Sequence, residues 1–222
     1  MIKNVIFDLD GTLIDSSADV LKCMKKAFKK ADQPFRLKNI RPLMGPPLPG
    51  MICSISPELN DDSVNHIAGY FRSYYDKISY KGTKLFKGVR PLLRKLLKMK
   101  IKMFIATNKR LLPTKKILKV QGVYDYFDSI YSFDMKKDAK MSKTEMIGHL
   151  LRAHKLNNKN TILAGDNESD IIAARKNKCI SVAVLGGYCD AKSLYKIKPL
   201  YIIKEIGDLQ DLITKINRLK GG

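Results

Sequence analysis

The amino-acid sequence predicts an α/β fold in which a parallel sheet carries helices on both faces and a helical cap is inserted near the start. Short apolar runs alternate with longer segments of helical periodicity, which is typical of strand–helix–strand units. One long stretch after the first strand contains helical patterns only. A chain of 222 residues, 45% of them apolar, is long enough to bury the core that such a fold requires.

Short apolar runs predict the strands of the sheet. Residues 5–7 have the pattern of a buried strand, and residues 103–106 and 162–164 repeat it. Residues 181–185 and 200–203 are weaker candidates of the same kind. Asp, Asn, Thr or Gly tends to follow these runs, and such residues suit tight loops and helix starts.

Segments with apolar residues at helical spacing predict the helices between and after these strands. They span residues 89–99, 114–121, 143–155, 169–177 and 209–219.

The alternation of strands and helices breaks directly after the first strand. Helical patterns at 18–31 and 62–78 occur there without a convincing strand. The stretch has the length of a small helical domain. We therefore expect residues 16–82 to form an inserted cap of four or five helices, and residues 1–15 and 83–222 to form the Rossmann-like core.

The formal net charge of +21 is spread along the whole chain. On the first helical segment, lysines alternate with apolar residues as on the solvated face of an amphipathic helix. No zinc-finger, RNP or basic-zipper pattern accompanies the charge, so the sequence does not predict nucleic-acid binding.

Several classes of protein do not fit the sequence. No stretch approaches the roughly 20 apolar residues of a membrane span, and acidic residues near the start do not fit a secretory signal. The four cysteines show neither CxxC spacing nor a nearby histidine cluster. We expect a cytoplasmic protein without membrane association, and the sequence predicts no oligomeric state.

Two carboxylates follow the first strand in the segment Asp8-Leu9-Asp10-Gly11-Thr12. Side chains two positions apart on an extended chain point the same way, so both carboxylates face one side. The carboxyl edge of a parallel sheet is where such folds bind ligands. Two carboxylates there repel each other unless a cation lies between them, and Mg²⁺ is the hard cation that fits best.

The segment VIFDLDGTLIDS, residues 5–16, resembles the first motif of the haloacid-dehalogenase-like hydrolases. It is most similar to the phosphoglycolate-phosphatase-like branch with a helical cap. The resemblance implies that Asp8 is a nucleophile that becomes an aspartyl-phosphate. It implies that Asp10 protonates the leaving oxygen and then activates water. It also implies Mg²⁺ ligation by the Asp8 side chain and the Asp10 backbone carbonyl.

The segment FIATNK, residues 104–109, resembles the second motif of the family. The Thr107 hydroxyl and the backbone N–H that follows it can donate hydrogen bonds to a phosphoryl oxygen. Asn108, Lys109 and Arg110 come next and are candidates for contact with the substrate.

A lysine at a helix start and a Gly-Asp turn resemble the third and fourth motifs. Lys143 suits the third by its spacing to the fourth, although Lys140 upstream is an alternative and the common Lys-Pro form is missing. The fourth is ILAGDNESD, residues 162–170. The resemblance implies that Asp166 ligates the metal and that Asp170 holds the metal's waters or the lysine.

These motifs predict a magnesium-dependent phosphatase that acts on a small phosphorylated metabolite. Dehalogenases of the superfamily lack the second aspartate, so Asp10 favours phosphoryl transfer. Three alternatives stay open: a phosphosugar mutase resembling β-phosphoglucomutase, a phosphonate hydrolase that uses a cap lysine, and a non-catalytic binding protein on the same fold.

Overall fold

The computed structural model describes residues 1–135 and 141–219. Its strands are β1 Asn4–Phe7, β2 Ile14–Asp15, β3 Lys84–Leu85, β4 Lys102–Thr107, β5 Ser129–Ser132, β6 Thr161–Gly165, β7 Ile180–Val184 and β8 Tyr201–Ile203. Six of them form a parallel sheet in the order β5-β4-β1-β6-β7-β8. The predicted α/β fold is confirmed, and each predicted strand overlaps an observed one.

The α-helices of the described residues lie between and after these strands. They are α1 Ser17–Lys30, α2 Leu48–Ile55, α3 Asp61–Tyr75, α4 Val89–Lys98, α5 Leu111–Val120, α6 Lys143–Ala153, α7 Glu168–Lys176, α8 Ala191–Lys196 and α9 Leu209–Leu219. No described helix is long and apolar enough to cross a membrane.

The central strand β1 shows why helices cover both faces of the sheet. All of its residues are buried, and their side chains alternate between the two faces. Val5 and Phe7 belong to the apolar cluster that includes Leu93 of α4, whereas Ile6 packs in the cluster that includes Leu150 of α6. A strand that is apolar on both faces requires helices on each side.

The stretch from 16 to 82 contains three α-helices, α1 to α3, and one 3₁₀ turn at Arg41–Leu43. With the 3₁₀ helix counted, the stretch has four helical segments, the lower number of the expected four or five. Prolines at 34, 42, 46 and 47 restrict helix formation between α1 and α2. Helix α3 packs along α1 and against α2. The boundaries of the cap stay a prediction.

The sequence patterns missed three small features. The antiparallel pair β2–β3 joins Ile14–Asp15 to Lys84–Leu85, so the chain enters and leaves the helical stretch side by side. Strand β5 at the sheet edge and the six-residue helix α8 were also missed. Each is too short to show a clear period.

Candidate active site

Three adjacent strands deliver the predicted site residues to one edge of the sheet. Strand β1 lies between β4 and β6 and runs parallel to both, with Phe7 opposite Ile105 and Ala164. Asp8 and Asp166 directly follow β1 and β6, and Thr107 is the last residue of β4, so the three emerge together. The carboxyl edge of a parallel sheet is the usual place for a ligand.

Asp8, Asp166 and Asp170 form a buried acidic group in which one carboxylate oxygen of each residue lies within 4.8 Å of the other two. Burial raises the pKa of Asp8 well above its usual range, although Lys143 opposes the shift. Burial, with repulsion from Asp170, raises the pKa of Asp166 to about 6. Three buried carboxylates this close favour an added cation.

Lys143 reaches this acidic group from the first turn of α6. Its ammonium forms an ion pair with Asp8 and lies 2.5 Å from Asp170 Oδ1. Burial would lower the pKa of Lys143, but the charges of Asp170 and Asp8 outweigh it and raise the pKa. Ser142 fixes the start of the helix through a capping box with Glu145. The alternative, Lys140, lies outside the described residues.

The second carboxylate of the first motif, Asp10, is held apart from the acidic group. Lys109 Nζ lies 2.9 Å from Asp10 Oδ2, and the Ser16 hydroxyl donates a hydrogen bond to Asp10 Oδ1. The Lys109 ammonium also lies 4.9 Å from the centre of the Tyr75 ring of α3. The sequence assigned Lys109 only a contact with substrate and did not predict its pairing with Asp10.

Thr107, the last residue of β4, and Asn108, which follows it, lie beside these carboxylates. The buried Thr107 hydroxyl oxygen accepts a hydrogen bond from the Lys109 backbone N–H at 3.1 Å. The Asn108 side chain donates to the Gly45 carbonyl oxygen at 3.4 Å. This bond brings the proline-rich segment after Gly45 to the site.

Asp166 is oriented by donors and by two glycines. The Thr12 hydroxyl donates to Asp166 Oδ1 at 3.0 Å, and the Tyr188 backbone N–H donates to Oδ2 at 2.8 Å. A Cβ added at Gly11 or at Gly187 would come within 2.1 or 2.3 Å of Asp166 atoms. Gly11 also has a φ of +87°, which favours glycine.

Tyr188 links Asp166 to the start of the helical stretch, and no sequence motif signalled it. Its hydroxyl donates to Asp15 Oδ1 and accepts from the Ser16 N–H, both at 2.9 Å. Arg41 lies 3.2 Å from the other Asp15 oxygen and 5.6 Å from the Tyr188 ring centre. Tyr188 therefore connects the core loop after β7 to the last residue of β2 and to the residue that follows it.

A cavity of about 520 Å³ opens over these residues. The core lines it with Asp8, Asp10, Thr107, Asn108, Lys143 and Asp166. The opposite wall comes from Val20, residues 44–51 and, on α3, Phe71, Arg72 and Tyr75. The volume falls in the range of sites for small molecules.

The acidic group fits a hard divalent cation. Asp8, Asp166 and Asp170 offer only oxygen donors, which Mg²⁺ prefers. The Asp10 side chain is not part of this group, and the metal role implied for Asp10 involves its backbone carbonyl alone. Buried carboxylates that could hold a cation, together with a buried ammonium in one small cavity, are suited to phosphoryl transfer.

Comparisons with known proteins agree with this chemistry. A family model described as haloacid dehalogenase-like hydrolase matches residues 5–184. The phosphoglycolate phosphatase of Vibrio vulnificus is 24% identical over 96% of both chains. Pyrophosphatase PpaX of Halalkalibacterium halodurans is 26% identical over 96% of this chain and 97% of its own. A haloacid dehalogenase-like hydrolase structure from Streptococcus pneumoniae superposes with a TM-score of 0.84 at 27% identity, covering 96% of this chain and 98% of that one.

Proposed function

The chain belongs to the haloacid dehalogenase-like hydrolase family, and we propose that it is a magnesium-dependent phosphatase that hydrolyses small phosphomonoesters through an aspartyl-phosphate on Asp8. The observation that carries the proposal is the buried acidic group of Asp8, Asp166 and Asp170, paired with Lys143 at the floor of the cavity. The phosphatase names of the curated relatives support the reaction class.

Asp8 and Asp166 would hold Mg²⁺ by their side chains, and Asp10 by its backbone carbonyl. Asp170 keeps Lys143 in place, because its Oδ1 lies 2.5 Å from the ammonium. The bound ion would supply positive charge to the phosphoryl oxygens and to the crowded carboxylates.

In the first step an Asp8 oxygen attacks phosphorus, and the bond between phosphorus and the leaving oxygen breaks. Asp10, protonated for this step, gives its proton to that oxygen, so the alcohol leaves uncharged. Lys143 and the Thr107 hydroxyl stabilise the phosphoryl oxygens while the charge is redistributed.

In the second step water attacks the aspartyl-phosphate. Asp10 accepts a proton from this water, the bond between phosphorus and the Asp8 oxygen breaks, and inorganic phosphate leaves. Lys109 and Ser16 contact the two oxygens of Asp10 and orient its carboxyl group. The wall of residues 44–51 excludes bulk water from the reaction.

The phosphatase reading is preferred over the alternatives. No lysine from residues 16–82, all of which the structure describes, lines the cavity, and a phosphonate hydrolase of the kind considered would need one. No observation specifically favours a mutase or a non-catalytic protein.

All four cysteines are free thiols, which fits the expected cytoplasmic location.

A phosphate-release screen across metabolite monoesters, with Mg²⁺ and with chelator, tests the proposal. We expect hydrolysis that chelator stops and added Mg²⁺ restores. Asp8→Asn should lose turnover by at least about a thousandfold while keeping its circular dichroism spectrum. Isomer formation from hexose 1-phosphates without phosphate release would instead identify a mutase. Near-normal activity of Asp8→Asn would refute the nucleophile.

A further inference from the structure

The cations that line the cavity differ in whether they already have an acidic partner. Among the described residues, Lys109, Lys143, Arg110 and Arg72 line it. The first three contact carboxylates: Lys109 with Asp10, Lys143 with Asp8 and Asp170, and Arg110 with Asp76. The half-buried Arg72 guanidinium forms no hydrogen bond, ion pair or ring contact with any residue that the structure describes.

The arrangement on α3 explains why Arg72 has no partner. Asp76 follows Arg72 by four residues, the spacing at which an arginine and an aspartate on one helix normally meet. Here the Asp76 carboxylate pairs with Arg110 of the core, and its backbone carbonyl accepts a hydrogen bond from Lys116 at 2.8 Å. The Arg72 guanidinium is thus left available to a ligand in the cavity.

Arg72 lies on the side of the cavity that would receive the leaving group. Tyr75, three residues further along α3, is the residue whose ring faces Lys109, and Lys109 pairs with Asp10. Three residues correspond to about 4.5 Å along a helix axis. Arg72 is therefore about one turn from the place where α3 meets the general acid.

The surroundings of Arg72 restrict the chemistry of its ligand. Met44, Leu48, Met51 and Phe71 supply an apolar wall in the same cavity. An organic leaving group can pack there while a terminal oxyanion reaches the guanidinium, whose planar donors match carboxylate and phosphate oxygens.

We propose that Arg72 is a specificity residue that selects phosphomonoesters whose leaving group carries a second oxyanion, a carboxylate or a phosphate, on a short carbon spacer. This inference rests on the proposed phosphatase function. It goes further because it assigns recognition of the second oxyanion to one residue, Arg72 of α3.

Matched esters test the assignment. Carboxymethyl phosphate and its uncharged isostere carbamoylmethyl phosphate form one pair, and ethanediol bisphosphate and hydroxyethyl phosphate form the other. For the wild-type enzyme with Mg²⁺, we expect kcat/KM to favour the charged member of at least one pair by about 10- to 100-fold. The pair that shows the preference distinguishes carboxylate from phosphate.

Variants then assign the preference to its residue. Arg72→Gln should reduce the charged-to-neutral ratio to within about threefold of unity, and Arg72→Lys should keep part of it because the charge remains. Arg36→Gln removes the same charge from an exposed position away from the cavity lining and should keep the full ratio. Thermal unfolding checks that each variant is folded.

The outcomes separate the two proposals. Hydrolysis of neutral esters without a preference for charged ones, or a preference that survives Arg72→Gln, overturns the role of Arg72 and leaves the phosphatase standing. Failure to hydrolyse any of these esters or p-nitrophenyl phosphate, with Mg²⁺ present, overturns the phosphatase and the inference with it.

Discussion

Asp10 is contacted on both of its carboxylate oxygens, by Lys109 and by Ser16. If Asp10 transfers protons, Asp10→Asn should slow the hydrolysis of esters with poor leaving groups by about 10²- to 10⁴-fold. Formation of the aspartyl-phosphate from p-nitrophenyl phosphate should slow much less, because p-nitrophenolate leaves without a proton. Rapid-quench measurement of both esters checks this. Asp125→Asn, an exposed change, is the control, and an equal loss on both esters would argue against general acid catalysis.

Gly187 leaves room for the Asp166 carboxylate. A Cβ at this position would come within 2.3 Å of Asp166 Cβ and Oδ2. Gly187→Ala should therefore displace Asp166 and raise the Mg²⁺ concentration for half-maximal activity by about tenfold or more.

The matched control for that change is Gly69→Ala on α3, where an added Cβ meets no atom within 4 Å. It should leave the Mg²⁺ requirement unchanged and increase the free energy of unfolding by about 0.5–1 kcal/mol. An unchanged Mg²⁺ requirement in Gly187→Ala would contradict the proposed metal site.

At the scale of elements, the start of helix α6 positions the Lys143 ammonium. The Ser142 side chain accepts a hydrogen bond from the Glu145 N–H and completes a capping box. Ser142→Ala should lower the free energy of unfolding by about 1 kcal/mol. It should also lower kcat/KM, because Lys143 is the first residue of the helix.

The N-cap of α3 provides a control that separates an effect on protein stability from an effect on the position of Lys143. Asn60 caps α3 in the same way, by accepting from the Ser63 N–H at 2.9 Å. Asn60→Ala should cost similar stability with little change in kcat/KM. Denaturant unfolding and steady-state kinetics on both variants provide the measurements. An equal decrease in kcat/KM in the two variants would show that the α6 cap has no particular role in positioning Lys143.

At the scale of the whole molecule, the buried carboxylates link folding to pH. Burial raises the pKa of Asp8, and raises that of Asp166 to about 6, so the folded metal-free protein binds more protons than the unfolded chain between about pH 4 and 6. Its free energy of unfolding should fall as pH rises through this range.

At the proposed metal site, Mg²⁺ would bind the ionised carboxylates and offset this loss. We expect the increase in Tm on adding Mg²⁺ to be larger at pH 7.5 than at pH 5, as measured by calorimetry. Asp166→Asn should show a much smaller increase at both pH values. An increase in the wild type that is equal at both pH values would exclude these carboxylates as the metal site.

The convergence of Asp8, Thr107 and Asp166 was predictable because each follows a strongly apolar run. Parallel strands bring their carboxyl ends to one edge, so a local pattern determines a long-range juxtaposition. The weak or short elements, β2, β3, β5 and α8, were not predictable, since their burial depends on neighbours that are distant in the chain.

By itself, the sequence determined the α/β fold, the helical character of the stretch after β1 and the identity of the candidate site residues, because periodicity and motifs are local properties. Only the tertiary structure decided which polar groups meet: Lys109 pairs with Asp10, Tyr188 donates to Asp15, and Arg72 has no described partner. Charge pairing depends on distances across the cavity, and those distances are set by how α3 and the loop after β7 pack on the core.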